Sequence, residues 1–360
     1  MYVFNSLTQA AQVIMMLVMT FLASRIKRVK LVIGCSYLSL SVLATVFLLG
    51  ACNPSLFGQS YVIAVFITAG FCYIGVGLYT ILAYCLPYTI IDMKEYGKMT
   101  ALGVLCAGAS SFALSFVHTF VVARFSYMQA MAWFFILVIV CFALTTCVCL
   151  SLKEVEGWSG VIRETKDDVI AVFKNKDMYI LLLPNFARGF AAGVMGVIAV
   201  VATSMEIVDK QTSSYVNIVM QVAMFVGNFL YVMLHKRLSS RTLLFISTIG
   251  VAVFFQLCIS GGLGWFLIAF FVAYLFRMII DTAIPVVVTE IIPQNQIGAY
   301  TSIRMLVFTG AQAIVTAVIP TLVNAIGYMG LLVFATLMQV VCGVVYWWVS
   351  RRPKRFFSDI

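Results

Sequence analysis

Three charged side chains lie deep inside long apolar stretches of this sequence, where an ionised group is costly and is a candidate for function. Arg188 lies about ten residues, or roughly 15 Å of helix, into the stretch 178–205. Arg277 and Asp281 are four residues apart in another such stretch, and Tyr274 precedes Arg277 by three. That spacing puts Tyr274, Arg277 and Asp281 on one helical face. The guanidiniums can bind an anionic or hydroxylated molecule and Asp281 can take up a proton or cation. Alternatively, Arg277 and Asp281 neutralise each other and Arg188 bonds backbone carbonyls.

Amide side chains recur at helical spacing in the same kind of stretch. Each amide offers both a donor and an acceptor, which suits hydroxyl-rich or zwitterionic molecules. The candidates are Asn185, which shares the face of Arg188, together with Gln9, Gln12, Asn217, Gln221 and Gln312. Hydrogen bonding between neighbouring helices is the alternative interpretation for each of them.

The sequence carries no arrangement typical of an enzyme. It has two histidines, His118 and His235, and no His-Glu-x-x-His metal motif. A dyad of Ser110 or Ser111 with His118 would place the two groups about two helical turns apart, too far for direct contact. The ten cysteines lie mostly in apolar stretches and form no disulfide or metal-binding framework. We therefore expect no catalytic residue, no metal and no cofactor.

The composition indicates that lipid is the solvent for most of the chain. Hydrophobic residues make up 63% of the 360 residues and charged residues 10%, against about 45–50% and about 25% in soluble domains. A span needs about 20 apolar residues. Eleven candidate spans follow: 4–24, 31–51, 61–90, 99–122, 127–150, 178–205, 213–234, 242–260, 265–289, 299–322 and 328–350. The expected fold class is an all-α membrane protein.

The basic residues sort between the two sides of the membrane. The sequence has 23 Lys and Arg residues, and nearly all of those outside the spans lie in every second connection between spans. The intervening connections hold only Arg124 and Lys210. Basic loops stay in the cytoplasm, so the central stretch 151–177 and the carboxyl terminus are predicted inside and Met1 outside. The net charge of +10 then reflects topology, and no nucleic-acid partner is expected. The 151–177 stretch is either an amphipathic interfacial helix or a solvated linker.

Two segments of the first half recur in the second half in the same order. The basic stretch 25–31 matches 237–243, and the stretch 96–102 matches 297–303. This register places the first span opposite the second span of the other half. We therefore expect two related bundles of five and six spans, with a helix missing at the amino end through a truncated gene model or a real deletion.

This organisation resembles the major facilitator superfamily. Residues 24–30, Ser-Arg-Ile-Lys-Arg-Val-Lys, are similar to the loop motif of that family, Gly-x-x-x-Asp-Arg-x-Gly-Arg-Arg/Lys, with Ser24 at the Asp position and Lys27 at the second Gly. The resemblance implies two pseudo-symmetric halves, twelve spans in a full-length member, and a central cavity that opens alternately to either side. It divides the chain into an amino-terminal bundle (1–150), a central loop (151–177), a carboxyl-terminal bundle (178–350) and a tail (351–360).

A narrower resemblance points to the glycoside–pentoside–hexuronide:cation symporters. Residues 86–92, Leu-Pro-Tyr-Thr-Ile-Ile-Asp, followed by Glu95-Tyr96-Gly97, carry it. That group has acidic cation ligands on its second helix, whereas the corresponding span 4–24 contains no Asp or Glu. The stretch 103–118 lacks the proline of the drug-antiporter signature.

These observations predict a secondary transporter in the cell membrane that moves a small polar solute, either a sugar or an organic anion. Asp281 is the expected site of coupling to a proton or sodium ion. A cytoplasmic gate is expected from charged residues of both halves: Arg25, Arg28, Asp92, Glu95, Arg237 and Glu290. The expected partners are the solute and the bilayer, and the chain is expected to be a monomer. A non-transporting solute sensor or degenerate paralogue, and efflux of drugs or metabolites, are the alternatives.

Overall fold

The computed structural model describes residues 2–22, 26, 28–53, 55, 58–90, 96–151, 166–174, 176–208, 213–258, 260–292 and 296–351. These residues are almost entirely helical. Six of their helices are long and apolar enough to cross a membrane, and shorter apolar helices accompany them.

The amino-terminal half contains five described helices, one for each predicted span. They are α1 (Tyr2–Leu22), α2 (Val29–Cys52), α3 (Gln59–Ile90), α4 (Tyr96–Arg124) and α5 (Tyr127–Ser151). The turn between α4 and α5 shows why a new helix starts there. The Ser126 amide and hydroxyl both bond Gln129 Oε1, at 3.2 and 3.0 Å, which satisfies a donor at the helix start.

The carboxyl-terminal half supplies helices for the six remaining spans. After the short helix α6 (Lys166–Lys174), they are α7 (Lys176–Met195), α8 (Ile198–Ser204), α9 (Ser213–Leu234), α10 (Ser240–Leu257), α11 (Leu263–Ile291) and α12 (Ile297–Ser350). The short helix α6 belongs to the predicted central loop, and it buries Val172 while leaving Phe173 exposed. The rest of that loop, 152–165, lies outside the described residues.

One of the predicted spans is interrupted in the structure. The 178–205 span breaks between α7 and α8, where the amide of Gly196 donates to the Ala192 carbonyl and the amide of Val197 to the Val194 carbonyl. Pro184 lies within α7. A proline there removes one backbone donor and weakens its turn.

The last two spans form one element, α12, that reverses direction at Gly327. This glycine has φ 69° and ψ 175°, a conformation that costs other residues free energy. Tyr300 and Tyr346, near opposite ends of α12, line one small cavity. The element is therefore a hairpin of a first limb (297–326) and a second limb (328–350).

Helices of the carboxyl-terminal half approach each other closely at glycines. In α7, a Cβ on Gly189 would overlap the Phe308 carbonyl, and one on Gly193 would overlap Val315. In α9, a Cβ on Gly227 would lie 2.5 Å from the Leu275 carbonyl oxygen. Small residues permit such close packing of membrane helices. Helix α7 thus lies against the first limb of α12.

The corresponding surface of the amino-terminal half is open. In the register that pairs residue 96 with residue 297, the residues Ala107, Ser110 and Leu114 of α4 correspond to Phe308, Ala311 and Val315 of α12. Ala311 and Val315 are 1% and 0% exposed beneath α7, whereas their α4 equivalents are exposed. The described helices thus form a bundle of five predicted spans and a bundle of six.

Among the described helices, the two halves meet most extensively along two pairs. Helix α1 packs on α12, and α4 packs on α9. At the second contact Gly108 faces the backbone of Phe225. Most of the described core belongs to the carboxyl-terminal half, because one large buried cluster extends from Val172 to Val349, while the buried clusters around Met16 and Leu43 are small.

Candidate functional site

Arg188 of α7 and Asp281 of α11 form an ion pair inside the carboxyl-terminal bundle. The contact joins Arg188 Nη2 to Asp281 Oδ1. The Arg188 side chain is 10% exposed, and that of Asp281 is 34% exposed. One partner is therefore held in the protein while the other stays accessible.

Both members of the pair lie away from the outer surface of their helices. At about 100° per residue, Arg188 is almost opposite Leu183 and Phe186, which are 53% and 42% exposed. On α11, Arg277 lies opposite the exposed Ile268, and Asp281 follows Arg277 by one turn. The accessible part of Asp281 thus faces the interior side of the bundle.

Arg277 and Tyr274 extend the cluster along α11. Arg277 Nε lies 3.8 Å from Asp281 Oδ2, so the two carboxylate oxygens face different guanidiniums. The Arg277 guanidinium carbon lies 5.2 Å from the Tyr274 ring centroid. A cation over an aromatic face is stabilised by the ring quadrupole. The four residues Arg188, Tyr274, Arg277 and Asp281, all predicted from the sequence, therefore form one cluster, which we call the Arg–Asp cluster.

Phe308 packs against Arg188, and Asn185 lies one turn before it. The Arg188 guanidinium carbon lies 5.0 Å from the ring centroid of Phe308 on α12. Asn185, one turn earlier on α7, is buried and donates from Nδ2 to the Leu181 carbonyl at 2.8 Å. The Asn185 Oδ1 atom is buried and has no hydrogen-bond partner among the described residues.

The amides on other helices fall into two groups. Asn228, two turns after Gln221 on α9, accepts a 2.9 Å hydrogen bond from the Thr282 hydroxyl and donates to the Met224 carbonyl. This amide joins α9 to α11 and serves packing. In contrast, the Oε1 atoms of Gln9 and Gln221 are buried without a partner among the described residues. The side chain of Asn217 lies outside the description.

Gln12 and Gln312 lie at helix contacts. The Gln12 backbone packs against Gly77 of α3, where a Cβ would lie 2.6 Å from the Gln12 carbonyl oxygen. The Gln312 carbonyl accepts from the Thr316 hydroxyl at 2.8 Å. Both side chains are half-buried, and neither contacts the Arg–Asp cluster in any described interaction.

At the predicted cytoplasmic ends of α10 and α11, Glu290 pairs with Arg241. Arg241 Nε donates to Glu290 Oε2 at 2.9 Å, and the Arg241 side chain is 6% exposed. The sequence-based gate named Arg237, which instead lies exposed in the turn before α10. Arg28 is exposed at the start of α2. The other predicted gate residues, Arg25, Asp92 and Glu95, lie outside the described residues.

Sequence analysis missed two polar residues of the bundle interior. Arg304 is 5% exposed, and its Nε has no hydrogen-bond partner among the described residues. Tyr346 is 3% exposed, and its hydroxyl is likewise without a partner. Arg304 lies within the predicted span 299–322, so a charged residue in an apolar stretch was the available signal. Tyr346 gave no comparable signal, since tyrosine is common in membrane helices.

The described residues contain no group of three His, Cys, Asp or Glu side chains that could hold a metal ion. The chemistry available to the Arg–Asp cluster is therefore electrostatic. It can bind an oxygen-rich or anionic group through guanidinium and exchange a proton or cation at a carboxylate.

The backbone arrangement is that of known membrane transporters. The Escherichia coli fucose:proton symporter FucP aligns with a TM-score of 0.68 at 14% identity, covering 97% of this chain and 91% of that one. The proton:xylose symporter XylE aligns at 0.69 and 15%, covering 96% and 85%. A bacterial homologue of the iron transporter ferroportin, in an outward-facing state, aligns at 0.71 and 11%, covering 97% and 89%.

The three structures are only 11–15% identical to this chain, so the likeness establishes the major facilitator fold alone. No family model and no curated protein matches the sequence. Each of the three similar structures is described as a transporter.

Proposed function

We propose that this chain is a secondary active transporter that moves a small polar solute across the membrane by alternating access. The observation that carries the proposal is the Arg188–Asp281 pair on the interior sides of α7 and α11. Charged groups inside a bilayer are costly, and they commonly mark solute or ion pathways. The fold supports the same conclusion, since the similar structures are solute transporters.

The charge of the Arg–Asp cluster favours an organic anion over a neutral sugar. Arg188 and Arg277 are basic and Asp281 is acidic, so these groups together carry a net positive charge. The planar fork of a guanidinium matches a carboxylate or phosphate group. A hydroxyl-rich sugar is the second solute class, because the unpaired oxygens of Gln9 and Gln221 can accept from hydroxyl groups.

Asp281 is the proposed coupling residue. A proton taken up by Asp281 removes its negative charge and weakens its attraction for Arg188, which leaves the guanidinium available to the anion. When the solute leaves, Asp281 releases the proton and the ion pair forms again. One proton then accompanies one negative charge of the solute. A sodium ion bound beside Asp281 is the alternative coupling ion.

Uptake into proteoliposomes tests this function. The purified chain would be tested with radiolabelled sugars, monocarboxylates and phosphate esters, with an inward proton gradient, an inward sodium gradient, or neither. We expect a proton gradient to stimulate uptake of an anion. Arg188→Gln should abolish that uptake, and Asp281→Asn should remove its proton dependence. Cys106→Ser, an exposed change on α4, is the control for reconstitution.

Two results would count against the proposal. Proton stimulation that persists in Asp281→Asn would exclude Asp281 as the coupling residue. Absence of uptake for the whole panel in both gradients, with a solute nevertheless bound, would exclude transport by this chain.

A solute sensor or degenerate paralogue is the second candidate function. The specific observation in its favour is the Arg–Asp cluster itself, whose 34% exposed Asp281 and adjoining guanidiniums can bind a solute without any passage across the membrane. A sensor would bind its solute at the Arg–Asp cluster without carrying it across. Calorimetric binding that Arg188→Gln abolishes, together with absent uptake, would identify this case.

A further inference from the structure

A small cavity lies inside the carboxyl-terminal bundle, enclosed by α7, α10, α11 and both limbs of α12. Five of its eight lining residues are aliphatic, and the other three are Asn185, Tyr300 and Tyr346. Its free space, about 10 Å³ for the centre of a water-sized sphere, is about what a single water molecule occupies.

Buried polar atoms of two residues that line this cavity have no hydrogen-bond partner among the described residues. They are Asn185 Oδ1 and the Tyr346 hydroxyl oxygen, and both residues are 3% exposed. The bond from Asn185 Nδ2 to the Leu181 carbonyl fixes the orientation of the amide, because a flipped amide would place its Oδ1 against the Leu181 carbonyl oxygen. A buried polar group left without a partner destabilises the fold, so an occupant that bonds both atoms is favoured.

The chemistry of these two atoms selects the occupant. Asn185 Oδ1 can only accept, so the occupant must donate a hydrogen bond, which an anion such as chloride cannot do. A metal cation needs several oxygen ligands, and the cavity is mainly aliphatic. Water donates to the amide oxygen and can either donate to or accept from the Tyr346 hydroxyl.

We propose that this cavity holds one ordered water molecule that bridges Asn185 of α7 to Tyr346 on the second limb of α12. The bridge lies next to Pro184, where α7 lacks a backbone donor. The Cys342 thiol already donates to the Pro184 carbonyl at 3.2 Å. The water adds a second link between the same two helices and positions the turn that carries Arg188.

A double-mutant cycle on the full chain in detergent tests the bridge. The variants are Tyr346→Phe, Asn185→Leu and the two combined, and the readout is the Tm. We expect Tyr346→Phe to lower the Tm by about 2 °C and the combined loss to be smaller than the sum of the single losses. Tyr231→Phe removes a direct 3.2 Å hydrogen bond to Ser240 and calibrates the loss of one bond.

A dry cavity gives the opposite result. Removing the Tyr346 hydroxyl would then relieve an unsatisfied group, so the Tm would stay or rise and the two changes would add. A Tm that Tyr346→Phe leaves unchanged or raises would overturn the proposal, and so would additive effects of the two changes.

X-ray radiolysis with mass spectrometry provides a direct readout, because radicals formed from bound water oxidise the side chains around it. We expect oxidation of Tyr346 in the parent chain, despite its burial, and a loss of at least half of it in Asn185→Leu. Tyr231, which is 1% exposed and is not among the residues that line the cavity, is the buried control. Equal oxidation of the two tyrosines, or none at Tyr346, would exclude the water.

Discussion

Arg188 and Asp281 hold α7 and α11 together through a charge pair whose acidic member is the more exposed one. Arg277 faces the other carboxylate oxygen at 3.8 Å. The carboxylate therefore lies between a guanidinium from a different helix and one from its own helix. A change in its charge acts on both helices at once.

Breaking this pair from one side should be more harmful than removing it altogether. Asp281→Asn leaves the buried Arg188 charge without its carboxylate, at an expected cost of about 2 kcal/mol of unfolding free energy, below the roughly 3–5 kcal/mol of a fully buried pair because Asp281 is partly accessible. The double variant with Arg188→Met should regain part of that loss. Thermal unfolding in detergent measures all three, and a strictly additive double variant would contradict the pairing.

The hydrogen bond of Asn228 with Thr282 should stabilise the bundle without contributing to solute handling. A cycle of Asn228→Leu and Thr282→Val is expected to give a coupling of about 0.6 kcal/mol, as is typical between membrane helices. The measurements are the Tm for the coupling and the apparent KM of uptake for function. A large rise in KM for Thr282→Val would place this pair in the solute path instead.

The contact of Gly189 with the Phe308 carbonyl should tolerate no side chain. Gly189→Ala would force α7 away from α12, with a loss of about 1–3 kcal/mol. Gly70→Ala on α3 is the matched control, since its Cβ would meet nothing within 4 Å and alanine favours a helix by up to about 1 kcal/mol. Comparable Tm values for the two variants would show that α7 does not pack as described.

Gly327 should be required for its backbone conformation and not for space. Nothing lies within 4 Å of a Cβ at this position, but its φ is +69°. We expect Gly327→Ala to cost about 1–3 kcal/mol, measured by thermal unfolding. Gly103→Ala on α4 also meets nothing within 4 Å and has no positive φ, so it should be neutral or stabilising. Equal effects of the two changes would argue against strain at Gly327.

The sequence predicted the helices well because a bilayer demands long apolar runs. It also placed Arg277 and Asp281 on one face, since their spacing is local. It could not show that Asp281 contacts Arg188, because that contact depends on how α7 packs against α11. For the same reason it named Arg237 for the gate, whereas Arg241, four residues on and facing inward, meets Glu290.

The position of the turn at Gly327 was also not predicted from the sequence. The hydrophobic pattern predicted a connection between residues 322 and 328, but the helices continue up to a single glycine. Hydropathy marks the apolar stretch and is insensitive to φ. A lone glycine between two spans was the available signal.

The uneven distribution of buried residues has a kinetic consequence. The large described cluster, including Phe255, Phe270 and Tyr300, belongs to the carboxyl-terminal half, whereas Ala107 and Ser110 of α4 lie uncovered. Local opening occurs most readily where few contacts must be broken. Amide hydrogens of α4 should therefore exchange with deuterium before those of α11, and a protease should cut the amino-terminal helices first. Simultaneous exchange in both would mean that the two bundles open as one cooperative unit.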